Sequence, residues 1–244
     1  MKSWTTAGGC RITQVLNRRC NVFLLSYDNR NLLVDTGRKH ERPLLFRRLA
    51  ASGITGLDAL ILTHTHFDHA ENAARIREKY HTKVIVHQSE AGLLKGGQTQ
   101  VPRGTILPTK ILLSLAPKER INRMFSYEPC EPDILVEDRL DLNDVGLSVY
   151  LLHTPGHSPG MMSLIVDNEI ALVGDAMIGV YPGSIFTPFA DDVEKLISSW
   201  GMLLETNCRL FLPAHGTPNN RKLVEKCYSI WRTKLNKRQF PACS

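Results

Sequence analysis

Thr63-His64-Thr65-His66-Phe67-Asp68-His69 places four metal-capable side chains within six residues. Neutral imidazole and carboxylate are the ligands that a borderline divalent ion such as Zn²⁺ prefers, and no cysteine or methionine competes within this stretch. In an irregular turn, residues two apart can point the same way, so His64 and His66 can share one ion. Asp68 and His69 can then face a second ion a few Å away. The short apolar run at 58–62 reads as a strand that ends abruptly in this loop. Residues 70–80 carry Ala73, Ile76 and Tyr80 on one helical face, and 83–87 reads as a buried strand. The histidine cluster therefore lies in a strand-to-helix loop.

The same arrangement recurs outward from this point. Toward the N-terminus, 12–16, 22–27 and 31–34 read as opening strands with a turn at Asp28-Asn29-Arg30. Residues 43–51 read as a helix stopped near Gly53. Toward the C-terminus, strand 147–152 ends in His153-Thr154-Pro155-Gly156-His157, and strands 162–166 and 170–173 lead to Gly174-Asp175. A helix near 191–206 precedes strand 209–212, which runs into Pro213-Ala214-His215. Four predicted strands thus end in loops bearing ligands: His64/His66/Asp68/His69, His157, Asp175 and His215. Two ions sharing one site need about seven protein donors while leaving room for water and substrate. His153, His40, His81 and His87 read as structural or surface residues.

Between the two halves, residues 92–133 lose periodicity and gain Pro102, Pro108, Pro117, Pro129 and Pro132. The apolar stretch 106–115 calls for burial, so this segment reads as an insertion into one domain spanning 1–244, not as a linker.

Composition narrows the class. With 43% hydrophobic and 22% charged residues, the chain is neither disordered, collagenous nor a coiled coil. No apolar run approaches the ~20 residues of a membrane span. The opening nine residues have no apolar signal region and the six cysteines are scattered, so reduced thiols and a cytoplasmic location are expected. The net charge of +6 is concentrated in 221–238, where seven Lys/Arg face Glu225 alone. Leu223, Cys227, Ile230, Trp231 and Leu235 recur there at helical spacing. The expectation is an amphipathic helix with a solvated basic face, and nucleic-acid binding is not expected.

Over nearly its whole length, from Leu32-Leu33-Val34-Asp35-Thr36-Gly37 to His215, the chain resembles the metallo-β-lactamase-fold hydrolases. His-x-His-x-Asp-His is the most specific of the five motifs that appear in family order. The resemblance implies an α/β fold, an αβ/βα four-layer sandwich of two mixed β-sheets flanked by helices, with a two-metal site along one edge. Carried onto this chain, His64, His66 and His157 would hold one ion, and Asp68, His69 and His215 the other. Asp175 would bridge them, and Asp35 would order the metal loop from outside the ligand set. Two Zn²⁺ ions per chain are implied, with Mn²⁺ or Fe²⁺ as alternatives. A hydroxide shared by the ions would then cleave the substrate bond. Asp68 and Asp175 are the candidates for proton transfer.

Departures from subfamily patterns narrow the substrate. An Asp175 bridge and the lack of an export signal argue against a true β-lactamase. Only 29 residues follow His215, too few for the glutathione-binding region of glyoxalase II-type thioesterases. Quorum-quenching lactonases typically place Tyr three residues after the bridging Asp, where this chain has Ile178, with Tyr181 three further on. The insertion supplies Ile106, Leu107, Ile111, Leu112, Leu113, Met124, Phe125 and Tyr127. Together with Phe67 and the 181–186 segment, including Tyr181 and Phe186, these are expected to wall an apolar pocket. The expected substrate is a small, partly apolar carboxylic ester, lactone or thioester. Phosphodiester cleavage is the second reading, then β-lactam hydrolysis, with a non-enzymatic metal-binding protein last. A membrane partner is not expected, and a homodimer is compatible with the sequence.

Overall fold

A computed structural model of the chain describes residues 1–115, 125–142 and 148–239. Two sheets organise it. The first has seven strands in sequence order: β1 (Ser3–Thr5), β2 (Arg11–Asn17), β3 (Asn21–Tyr27), β4 (Arg30–Val34), β5 (Ala59–Ile61), β6 (Lys83–His87) and β7 (Ile134–Val136). Strands β1 to β4 pair antiparallel and β4 to β7 parallel. The second sheet contains β8 (Arg139–Asp141), β9 (Val149–His153), β10 (Met162–Val166), β11 (Ile170–Gly174), β12 (Leu210–Pro213) and β13 (Asn219–Asn220), ordered β13-β12-β11-β10-β9-β8. Both sheets are therefore mixed, and the chain completes one before starting the other.

Side-chain alternation explains the layering. On β3, Phe23 and Leu25 join Ile61, Leu164 and Leu172 in the core between the sheets. Their neighbours Val22 and Leu24 point the other way, to Leu45 and Leu49 of α1 (Arg42–Ala51) and Ile76 of α3 (Ala73–Tyr80). The second sheet repeats this with Ile165, Val173 and Phe211, which pack on Trp200 and Leu203 of α6 (Val193–Glu205) and Val224 of α7 (Arg221–Gln239). Each sheet buries both faces, so its strands read as apolar runs more than as strict alternation. The result is the expected αβ/βα four-layer sandwich.

The boundaries differ from the sequence reading in instructive places. The helix expected at 70–80 is split into α2 (Phe67–Ala70) and α3. Asn72 at the break is fully buried, and its side-chain amide donates to the carbonyls of Thr36, Gly37 and Arg38. A side chain that serves the neighbouring loop this way competes with helix continuity. The insertion contains α4 (Ala91–Gly96) and α5 (Leu107–Leu115).

The expectation that 106–115 is buried is overturned. Among the described residues α5 buries no side chain fully: Leu107 is 70% and Leu115 78% exposed. The helix is tied on at its N-terminal end, where the Thr109 hydroxyl donates to the Pro188 carbonyl and Thr105 bonds Pro188 and Thr187. Met124 and Leu147 lie outside the described residues. On α7, Val224 is buried, whereas the expected core residue Ile230 is 44% exposed. Arg221 is no free cation, because its guanidinium binds the carbonyls of Leu204, Thr206 and Cys208 at the end of α6.

The five described cysteines are free and buried. No helix among the described residues is long and apolar enough to cross a membrane.

Candidate metal centre

Strands β4 and β5 are parallel, and so are β11 and β12; β9 is antiparallel to β10, itself antiparallel to β11. All the strands that precede a sequence-predicted ligand therefore deliver their C-terminal ends to one edge of the sandwich. The main chain ties the two sheets together there, Met162 N–H donating to the Thr63 carbonyl at 2.8 Å. The tertiary structure brings together all seven predicted ligands.

His64 Nε2 lies 2.9 Å from His66 Nδ1, and His157 Nε2 lies 3.0 Å from the same atom. Asp68, His69 and His215 form a second group, with His215 Nε2 at 3.5 Å from Asp68 Oδ2. Asp175 stands between the groups: its Oδ2 is 3.5 Å from His157 Nε2 and 3.3 Å from His215 Nε2, and its Oδ1 is 3.7 Å from His69 Nε2.

Hydrogen bonds on the far side of each ring set its orientation. His157 Nδ1 donates to the Phe189 carbonyl at 2.9 Å and His215 Nδ1 to the Arg19 carbonyl at 2.6 Å. His69 Nδ1 donates to Asp35 Oδ2 at 2.9 Å. Each of these bonds fixes a proton on Nδ1 and turns the Nε2 lone pair inward, as metal-ligating imidazoles require. Asp35 adopts a left-handed backbone, φ 60°, and also accepts from the Thr63 N–H and hydroxyl. Such a conformation is uncommon for a residue with a side chain and here directs a buried carboxylate behind His69.

The donor set fits divalent cations. Buried His69 Nε2 and Asp175 Oδ1 have no hydrogen-bond partner among the described residues, although they face one another across the cluster. A buried, unpaired polar atom is costly unless something else satisfies it. Electrostatics agrees. Burial, then the neighbouring imidazoles, holds His64 and His66 well below the usual histidine range. At His215 burial is outweighed by Asp175 and Asp68, which push it up to about 9. Burial is likewise overcome at His69, by Cys20, Asp35, Asp175 and Asp68. Asp175 lies far below the carboxylate range because the surrounding imidazoles outweigh its burial. The carboxylates that favour a proton on His69 and His215 equally favour a metal cation in its place, bound to the deprotonated rings.

Above the cluster is a cavity of about 540 Å³ with His66, Asp68, His157, Asp175 and His215 on its floor. Its walls include Phe67, Val101, Leu112, Leu113, Phe125 and Tyr181. Phe67 and Phe125 stack at 4.3 Å between ring centres, and the Arg38 guanidinium lies over Phe67 at 4.3 Å.

Several sequence-predicted wall residues are elsewhere, Ile106, Leu107 and Ile185 among them. Phe186 is no pocket residue: it stacks on Trp231 of α7 at 3.9 Å, and Phe189 takes the cavity position instead. Tyr127 is buried behind the metal loop, its hydroxyl donating to the Thr65 carbonyl at 3.0 Å. Ile111 points to the exposed side of α5. His87 and His153, read as structural, stack on one another at 4.0 Å.

Sequence reasoning missed Glu90. It is buried and bonded to both histidine loops. No spacing rule marks a lone Glu after a strand, so no sequence signal would have found it.

Residues 16–215 match the profile of the metallo-beta-lactamase superfamily. The chain belongs to this superfamily. It is 29% identical to a protein of Methanocaldococcus jannaschii named probable metallo-hydrolase, over 82% of this chain and 89% of the relative. It is 27% identical to the human acyl-coenzyme A thioesterase MBLAC2, over 68% of this chain and 60% of that protein. Among solved structures, a metallo-β-lactamase from Cronobacter sakazakii superposes with a TM-score of 0.68 at 17% identity, covering 98% of this chain and 96% of that one. At that identity the likeness shows the fold alone.

Proposed function

We propose that this metallo-hydrolase is binuclear and cleaves a carboxylic ester, lactone or thioester whose acyl portion is apolar. The observation that carries this reading is the pairing of a polar floor with an apolar cavity. Five of the seven His and Asp donors line one end, and Phe67, Val101, Leu112, Leu113 and Phe125 the other. His64, His66 and His157 would hold one divalent ion and Asp68, His69 and His215 the other, with Asp175 between them; zinc is the proposed metal. When bound, such ions supply an activated water at neutral pH and a Lewis acid for the scissile carbonyl.

The chain's own residues do the rest. The aromatic and aliphatic walls exclude bulk water and seat the acyl chain, burial of which is worth about 0.8 kcal/mol per methylene. Asp68 has an 18% exposed side chain and lines the cavity, which supports a part in proton transfer second to its role as a ligand. Asp175, whose oxygens face three imidazoles, orients the cluster. The thioesterase name of one relative supports the thioester branch. No described side chain of α7 lines the cavity, so the basic helix lends no support to phosphodiester substrates.

The test is turnover by zinc-reconstituted protein against lactones, simple esters, acyl thioesters, aryl phosphodiesters and a β-lactam. Turnover is expected on ester-type substrates, rising with acyl length. Equal or faster phosphodiester cleavage would overturn the reading.

A further inference from the structure

Glu90 closes the 3-10 turn Gln88–Glu90 that follows β6 and is only 1% exposed. A buried carboxylate survives only when its lone pairs are satisfied. Four donors converge on it. Oε2 accepts from the Thr65 N–H and the Thr65 hydroxyl, both at 2.6 Å. Oε1 accepts from the Gly160 N–H at 3.1 Å and from the Ser158 hydroxyl.

All four come from two loops far apart in sequence. Thr65 stands between His64 and His66, and Ser158 follows His157. The fit is close: a Cβ on Gly160 would lie 2.5 Å from Glu90 Cγ. Tyr127 holds Thr65 from its carbonyl side, so that residue is fixed at N–H, hydroxyl and carbonyl alike.

We infer that Glu90 is the positioning residue of the His64/His66/His157 triad, a strut that locks the two loops so that three imidazoles converge. The other triad has direct anchors of its own that do not involve Glu90, His69 through Asp35, which also bonds Thr63 beside His64, and His215 through the Arg19 carbonyl. Loss of Glu90 therefore weakens one half of the centre and spares the other. This rests on the metal-centre reading given above.

The test measures Zn²⁺ affinity by competition with a chromogenic chelator. Two backgrounds isolate the halves: His215→Ala retains the first triad and His157→Ala retains the second. Glu90→Gln keeps the shape but turns an acceptor into an amide donor facing other donors. On His215→Ala it is expected to lower affinity tenfold to a hundredfold, the usual effect of losing an orienting partner, and to alter the visible spectrum of the Co²⁺-loaded protein. On His157→Ala it is expected to change affinity less than twofold. Ser158→Ala, which removes one donor, should act in the same direction more weakly and serves if Glu90→Gln does not fold by circular dichroism. Equal losses on both backgrounds, or none, would overturn the role of Glu90 while leaving the metal centre intact. Absence of tight Zn²⁺ binding by the parent protein, or parent-like binding after His66→Ala, would overturn the metal-centre reading and the strut with it.

Discussion

The two triads are built differently. His64, His66 and His157 are all but sealed, with exposures of 0%, 6% and 2%, and a buried carboxylate from a third element clamps their loops. In the other triad, the side chains of His215 and Asp68 are 23% and 18% exposed, and only His69 is wholly buried. The first triad is thus a fixed floor whose geometry is over-determined, and the second is the face that solvent and substrate reach. Rigid positioning beside an open coordination face is what a hydrolytic metal site needs.

The largest effects are expected at the ligands themselves. His66→Ala, which removes the Nδ1 that approaches both His64 and His157 Nε2, is expected to lower turnover on the order of a thousandfold, as loss of several kcal/mol of transition-state stabilisation requires. Initial rates at saturating Zn²⁺ measure it, and a residual rate above a tenth of the parent would contradict the floor role. Asp35→Asn should act more strongly on the open triad, whose His69 it bonds directly, than on the sealed one, which it reaches through Thr63. Its amide can no longer accept well from both His69 and Thr63, and a tenfold to hundredfold loss of Zn²⁺ affinity is expected on the His157→Ala background.

Two glycines sharpen the contrast at the backbone. Gly156, with φ 133°, precedes His157, and a Cβ there would lie 2.2 Å from the Leu196 amide nitrogen. Gly216, with φ 90°, follows His215, and its Cβ would lie 2.3 Å from the Gly179 carbonyl carbon. Substituting either by Ala should cost about 1–3 kcal/mol of stability in thermal unfolding. Gly156→Ala should weaken the sealed triad and Gly216→Ala the open one.

The smallest expected effect lies on α5. Leu112→Ala, at the cavity wall, should raise KM for a long-chain substrate about threefold. Leu107→Ala, exposed and away from the cavity, should change neither kinetics nor stability beyond about 0.5 kcal/mol. Matching KM values for the two variants would remove α5 from the substrate site.

Much of the architecture was legible because it is periodic and local. Strand β6 appears at its predicted bounds, and the helix expected near 191–206 is α6, capped by Asp192, whose side chain accepts from the Lys195 N–H. Short strands such as β1 and β7, three residues each, carry too little pattern to be read. Their pairing depends on neighbours distant in the chain.

The sequence by itself determined which atoms could take part in the chemistry. His64, His66, Asp68 and His69 lie within six residues, and the loops of His157, Asp175 and His215 each follow a strand. Chain connectivity alone places such loops along sheet edges. Only the tertiary structure decided what surrounds them. Phe186 and Phe189 are three residues apart and chemically identical, yet one stacks on Trp231 and the other lines the cavity. Glu90 carries no local signal, yet it joins loops more than ninety residues apart. Side-chain identity and spacing are written locally, whereas burial and hydrogen-bond partnership arise from contacts that exist only once both sheets have packed.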